Sequence, residues 1–214
     1  MKRIYLNHEL NENTPAYANA QNQIKIDEVR SLKKGDTSNN LHLSLPNHIG
    51  THIDFPAHFC PKGKTFSHYD ASFFVFDQVA MVTCDMYDLE MHLDSIDTNI
   101  EMLLVKTGFE GLRETEHYTL KQHEVFPEYA KVLREKFPHL RLFGFDMISV
   151  SSMLDREMGR EAHRAFLCEE NILLLEDMRL SGISPRDTIN EVIVAPLALA
   201  DGDGAPCTVI ATIL

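Results

Sequence analysis

Between Pro46 and His58 the chain reads Pro-Asn-His-Ile-Gly-Thr-His-Ile-Asp-Phe-Pro-Ala-His, which places His48, His52, Asp54 and His58 close together in sequence. Imidazole and carboxylate are the side chains that bind divalent metals and move protons near neutral pH. Gly50 and Thr51 lie between the first two histidines, where bulk would crowd an ion. A straight strand rising about 3.3 Å per residue would hold His48 and His52 roughly 13 Å apart, too far to share one ion. A coil or turn brings positions i and i+4 to within about 6 Å. The spacing therefore predicts a tight turn followed by a short extended run. That run would send positions 52, 54, 56 and 58 to one side, with Pro56 stiffening its exit.

If His48, His52 and Asp54 hold one ion, the absence of thiolates suits Zn²⁺, Mn²⁺ or Fe²⁺, with zinc foremost and manganese next. Such an ion lowers the pKa of bound water to about 7 and polarises a substrate carbonyl. The second oxygen of Asp54 is free to bridge a second ion, which would need ligands from elsewhere in the chain. His163 and Glu176 are the best placed, because a helix and the strand after it can converge on one edge. Taken singly, His163 also reads as a packed histidine and Glu176 as a carboxylate reaching solvent. His58 is left to exchange protons as a general acid or base. The competing reading is a chance cluster among the 11 histidines of the chain.

The elements that must position these groups can be read from periodicity. Alternating or continuous apolar runs predict strands over Arg3–Asn7, Ile24 towards Leu32, Leu41–Leu45, Val79–Thr83, Met102–Lys106, Arg141–Phe145, Ile172–Leu175, Thr188–Leu197 and Val209–Leu214. The strand at Leu41–Leu45 would deliver the chain directly into the histidine motif. Pro127 opens a helix on which Tyr129, Leu133 and Phe137 recur, and Pro138 ends it. A second helix is expected from Leu154 to Cys168, with Leu154, Met158, Ala162, Ala165 and Phe166 on one side and His163 near its edge. Phe73, Phe74 and Phe76 read as core, and Asp201-Gly202-Asp203-Gly204 as a turn.

A chain of 214 residues supports one well-buried domain spanning 1–214. A formal charge of -12 argues against nucleic acid or an anionic membrane as partner, since both call for a basic face. No apolar run approaches the roughly 20 residues that cross a bilayer. Polar groups follow Met1 too soon for a signal peptide. The four cysteines, Cys60, Cys84, Cys168 and Cys207, form no C-x-x-C pair and read as reduced thiols of a cytoplasmic protein. A nucleophilic Cys60 would need a base, and the nearby histidine is claimed by the metal motif.

The run His48-Ile-Gly-Thr-His52-Ile-Asp54-Phe-Pro56-Ala-His58 resembles the signature of the cyclase-like metal-dependent hydrolases, the family of bacterial kynurenine formamidase and isatin hydrolase. Thr14-Pro15-Ala16-Tyr17, Leu104 to Gly108, Gly144-Phe145-Asp146, His163 to Leu167, Ile172 to Glu176 and the tail from Ala195 to Pro206 are similar to further family segments. The resemblance implies an α/β protein of the swivelling β/β/α type, a mixed sheet with a few packed helices. It implies a homo-oligomer, dimer or tetramer, that hydrolyses an amide or lactam C–N bond of a small molecule. His48, His52 and Asp54 would bind the first metal, with Asp54 bridging. His163 would bind the second, Glu176 would contact one or both, and His58 would be the general acid/base. Two departures stand out. The stretch from His163 to Glu176 is one residue longer than the family pattern, so Glu169 or Glu170 are alternatives to Glu176. The chain has no tryptophan, so Tyr17 is the nearest substitute for the aromatic residue of the family's early substrate loop. The other functions considered are a metal-dependent lyase or cyclase acting on a carbonyl, and a metal-binding protein without turnover.

Overall fold

Met102–Lys106, Leu142–Phe145 and Leu173–Glu176 are short apolar runs, and each forms a strand buried along almost its whole length. Strands covered on both faces carry no polar alternation, which is why these three read as continuous hydrophobic stretches. A computed structural model describes all 214 residues. In chain order its strands are β1 (Lys2–Tyr5), β2 (Lys25–Arg30), β3 (Asn40–Ser44), β4 (His52–Asp54), β5 (Val75–Phe76) and β6 (Val79–Thr83). They continue as β7 (Met102–Lys106), β8 (Leu142–Phe145), β9 (Leu173–Glu176), β10 (Ile189–Pro196) and β11 (Gly204–Ile213). The α-helices are α1 (Glu116–Leu120), α2 (Glu128–Lys136) and α3 (Arg156–Arg164).

Nine strands form one mixed sheet in the order β5-β10-β11-β4-β9-β8-β7-β6, with β1 pairing on β11. The half from β6 to β9 is parallel, whereas β4 runs antiparallel to both β9 and β11. Parallel neighbours need crossover connections, and the helices are those connections: α1 and α2 between β7 and β8, α3 between β8 and β9. β10 also lies alongside β6, so the sheet comes close to closing on itself. The protein is thus a mixed α/β fold with a large, nearly closed sheet and few helices. A core of 41 buried residues fills it, including Phe74 and Phe76, with Phe73 packed against its edge.

One expectation needs refining and two need correction. β3 does lead towards the histidine motif, ending at Ser44, but it takes no part in the large sheet. It pairs only with β2 in a separate two-stranded sheet, where Leu41 and Leu43 are exposed, and the motif sits on β4. The alternation in Leu41–Leu45 is real, but only Leu45 at its base packs against this chain, and Leu41 and Leu43 are left uncovered. The helix expected over 154–168 begins later, at Arg156, because the Asp155 side chain accepts the Glu157 and Met158 amides and caps it there. It passes at Ala165 into a π-helical stretch, Ala165–Glu169. Finally, the cysteines are not all free thiols. Cys60 and Cys168 form a disulfide across a sequence separation of 108, whereas Cys84 and Cys207 are free. Spacing along the chain held no sign of this pair, because the fold alone brings the loop after β4 against the end of the α3 region.

Candidate active site

The local turn comes from Gly50, whose φ of 62° lies in the left-handed region that favours glycine. It reverses the chain between His48 and β4, and the Gly50 carbonyl accepts the His52 Nδ1–H at 2.8 Å. That bond fixes the imidazole tautomer and leaves the Nε2 lone pair facing inward. His163 is held the same way from α3, with Nδ1 donating to the Gly159 carbonyl at 2.8 Å. Gly159 itself lets α3 lie against the 149–152 loop, since a Cβ there would come within 2.6 Å of the Ser151 Cα. Two histidines from distant segments therefore present free ring nitrogens to one point.

Two carboxylates meet them there. β4 pairs with β9, and the register sets His52 opposite Glu176. His52 Nε2 lies 3.5 Å from Asp54 Oδ1 and 3.5 Å from Glu176 Oε2. His163 Nε2 lies 3.5 Å from Asp54 Oδ2 and 3.7 Å from Glu176 Oε1. His48 Nδ1 is 2.8 Å from Asp54 Oδ1. Apart from His48, which is partly exposed, all of these side chains are buried. His48, His52 and Asp54 present ligand atoms that are mutually within 4.8 Å, and so do Asp54, His58 and His163. Glu169 and Glu170 lie elsewhere; Glu170 faces Arg134 at 3.8 Å. Of the three glutamates considered, Glu176 is the one on the pocket wall.

The electrostatics describe a site built for cations. Burial pushes the Glu176 carboxyl well above its ordinary pKa, and the neighbouring Asp54 charge pushes it further. Burial also raises Asp54, but His163, His48 and His52 together pull it well below the usual carboxylate range. Asp54 Oδ2 is buried without a hydrogen-bond partner. An unpartnered carboxylate oxygen costs several kcal/mol in a protein interior, on the order of 1–3 or more. Converging imidazole lone pairs beside two buried carboxylates, one oxygen of which has no partner, fit a divalent cation.

His58 arrives differently from the expected extended path. β4 ends at Asp54, and Pro56–His58 forms a 3₁₀ turn whose first residue is the proline. The fixed φ of Pro56 suits the start of a helical turn and ends the strand. The turn stacks His58 on His48, with ring centroids 3.9 Å apart. Burial lowers the His58 pKa. Its Nδ1 lies 3.2 Å from Asp203 Oδ2, which also lies 3.3 Å from His48 Nε2. Above these groups opens a pocket of about 310 Å³ whose wall includes Tyr17, Ile49, Phe59 and Ile148. Tyr17 sits on a 3₁₀ turn at the pocket edge and donates from Oη to the Ser152 carbonyl at 3.4 Å.

The model of the Cyclase family matches residues 4–152. A kynurenine formamidase of Bacillus cereus is 33% identical over 174 residues, covering 77% of this chain and 75% of the relative. The chain belongs to the Cyclase family. The fold is shared with an isatin hydrolase bound to the product analogue thioisatinate, at a TM-score of 0.80 and 17% identity, over 100% of this chain and 92% of that one. It is shared also with a predicted metal-dependent hydrolase from Bacillus stearothermophilus, at a TM-score of 0.74 and 20% identity, over 98% and 97% of the two chains.

Asp203 is the residue of this Cyclase-family site that sequence reasoning missed, having taken it for part of a turn. The turn is there, but Gly204 begins β11 beside β4 and carries Asp203 to the histidines. A Cβ on Gly204 would run into the His48 ring, so the Asp-Gly pair is shaped around the site. An acidic residue directly before a glycine that must be bare was the available signal.

Proposed function

We propose that the protein is a metal-dependent hydrolase cleaving the amide-type C–N bond of a small substrate, an arylformamide, cyclic imide or lactam. The observation that carries this reading is the convergence of His52 and His163 Nε2 on Asp54 and Glu176, with Asp54 Oδ2 buried and unpartnered. His48, His52 and Asp54 would hold a first divalent ion, and His163 and Glu176, with Asp54 shared, a second. Zinc is the ion put first, manganese the second. Bound there, such ions supply Lewis acidity towards a carbonyl and ease the ionisation of water in their reach. The relatives agree in chemistry: one is named for a formamide, another for a cyclic amide.

The chain's own groups supply the rest. Asp203 accepts from His58 Nδ1, which orients the ring and leaves Nε2 as the nitrogen that exchanges a proton. His58 takes a proton from the attacking water and returns it to the departing nitrogen, which leaves poorly as an anion. Tyr17, Phe59, Ile49 and Ile148 form an apolar wall that holds a flat ring and excludes water. We place the activity in the cytoplasm, in a homo-oligomer acting on a small molecule, with neither nucleic acid nor membrane as partner. No helix is long and apolar enough to cross a membrane.

The test is turnover of zinc- or manganese-loaded protein on N-formyl aromatic amines, cyclic imides and lactams, alongside elemental analysis. Up to two ions per chain and hydrolysis of at least one class are expected. Protein that takes up no divalent metal under any loading condition would sink the reading.

A further inference from the structure

The pocket carries a charge that the hydrolytic chemistry does not use. Arg156 and Arg160 lie one helical turn apart on α3, and both reach the pocket wall beside Tyr17 and Ser151. A guanidinium keeps its charge at any physiological pH and offers a planar fork of donors matched to a carboxylate. The acids that could neutralise Arg156 are all engaged elsewhere. Asp155 caps α3 through the Glu157 and Met158 amides. Glu157 pairs with Arg160 at 2.6 Å. Asp54 and Glu176 are buried among the histidines of the floor. Arg156 makes no salt bridge in the protein. Its polar neighbour is the Tyr17 hydroxyl, whose pKa burial raises and Arg156 draws back.

The result is a pocket lined by the buried histidine and carboxylate cluster, by apolar side chains and by an exposed arginine without an ion pair. An exposed guanidinium with no ion pair in the protein gives an anionic group on the substrate a partner at the pocket wall. We infer that the site selects aromatic amides bearing a carboxylate on the ring, with Arg156 as its anchor and Arg160 as a weaker second contact. The inference rests on the hydrolase reading above and names its substrate class. The ring would lie against Phe59 and Tyr17, its amide towards His58 and its carboxylate on the Arg156 fork.

The test uses metal-loaded protein and two substrates that differ only in the carboxylate, 2-formamidobenzoate and formanilide. Wild-type protein should prefer the first. Arg156→Met should lower that preference, the ratio of the two kcat/KM values, by ~10- to 100-fold, the range for a hydrogen bond to a charged group. The loss should fall on KM for 2-formamidobenzoate, and Arg156→Lys should recover part of it. Arg160→Met, which breaks an exposed pair, should lower the preference less. Calorimetric titration with 2-aminobenzoate and 2-aminobenzamide gives a readout free of turnover. The acid should bind more tightly, and Arg156→Met should abolish the difference. Equal preference in wild type and Arg156→Met overturns the inference, and so does 2-aminobenzoate binding that Arg156→Met leaves intact, which would place the carboxylate on the metals. Arg156-dependent binding without hydrolysis of either substrate would support the anchor and overturn the hydrolase reading. Metal content and circular dichroism of each variant, matched to wild type, guard against misfolding.

Discussion

His58 and Asp203 lie 3.2 Å apart in space and 145 residues apart in the chain, and this pair separates what was legible in the sequence from what was not. His48, His52, Asp54 and His58 were readable because their geometry is local: a glycine turn, a three-residue strand and a proline turn set all four. Asp203 has no such spacing to its partner, and only the pairing of β4 with β11 brings it in. The two residues also give distinguishable expectations. His58→Ala should reduce kcat by about 10²–10⁴-fold, the usual worth of general acid–base catalysis, roughly 3–5 kcal/mol of barrier. Metal content by elemental analysis should stay close to wild type, and loss of metal together with activity would make His58 a ligand. Asp203→Asn keeps the size of the side chain but loses its charge on both His58 and His48. Outer partners of this kind typically contribute about 10–100-fold to activity or metal affinity. A kcat within twofold of wild type for Asp203→Asn would show that His58 needs no orienting partner.

Among the elements, the stretch from α3 to Cys168 binds the two halves of the site. α3 holds His163 through Gly159, and the disulfide then ties the end of its π-helical extension to Cys60, two residues after His58. Helical periodicity did reveal α3, and Ala162, Ala165 and Phe166 of the expected face are buried, whereas Leu154 lies before the helix and is exposed. It did not reveal the late start, which a single capping carboxylate decides, nor the disulfide. A cross-link that spans about 100 residues of chain restricts the unfolded state strongly, typically by about 2–4 kcal/mol. Replacing both cysteines by serine should therefore lower Tm by about 5–15 °C, given about 2–4 °C per kcal/mol for a chain of this size. Differential scanning calorimetry of oxidised, reduced and doubly substituted protein checks this. Reduced wild type should melt with the Cys60→Ser/Cys168→Ser variant, and equal Tm values for all three would show that the bond contributes nothing. The bond also bears on compartment. A reducing cytoplasm would leave both thiols free, so thiol counting on protein isolated under rapid alkylation reports where the chain resides.

At the scale of the whole molecule, the parallel half of the large sheet, β6 to β9, was legible strand by strand because its members are apolar runs of the right length, whereas β5 was read only as core phenylalanines. Strand order was not legible, since nothing in a local pattern says that β4 inserts between β9 and β11. The β2–β3 hairpin is where pattern and fold part company. It stands outside the nine-stranded sheet, and a lone two-stranded hairpin is at best marginally stable in water. Its base is covered by a small cluster of Ala16, Ile24 and Ile49, with Ile26 and Leu45 against it. Further along, Val29, Leu32, Leu41 and Leu43 are exposed, each between 56% and 58%. Leu41 and Leu43 are two residues apart on one strand and so share a face. A strand that alternates leucine with polar residues, yet leaves Leu41 and Leu43 uncovered by its own chain, is suited to cover from a second copy, and soluble oligomers are mostly built from identical chains. The expected state is accordingly a homo-oligomer joined through this hairpin. Leu41→Lys with Leu43→Lys should shift sedimentation velocity profiles to the monomer while leaving the metal uptake of the protein unchanged. A wild-type protein that sediments as a monomer at micromolar concentration, or a variant that remains oligomeric, would remove the hairpin from the interface and leave its exposed leucines without a partner.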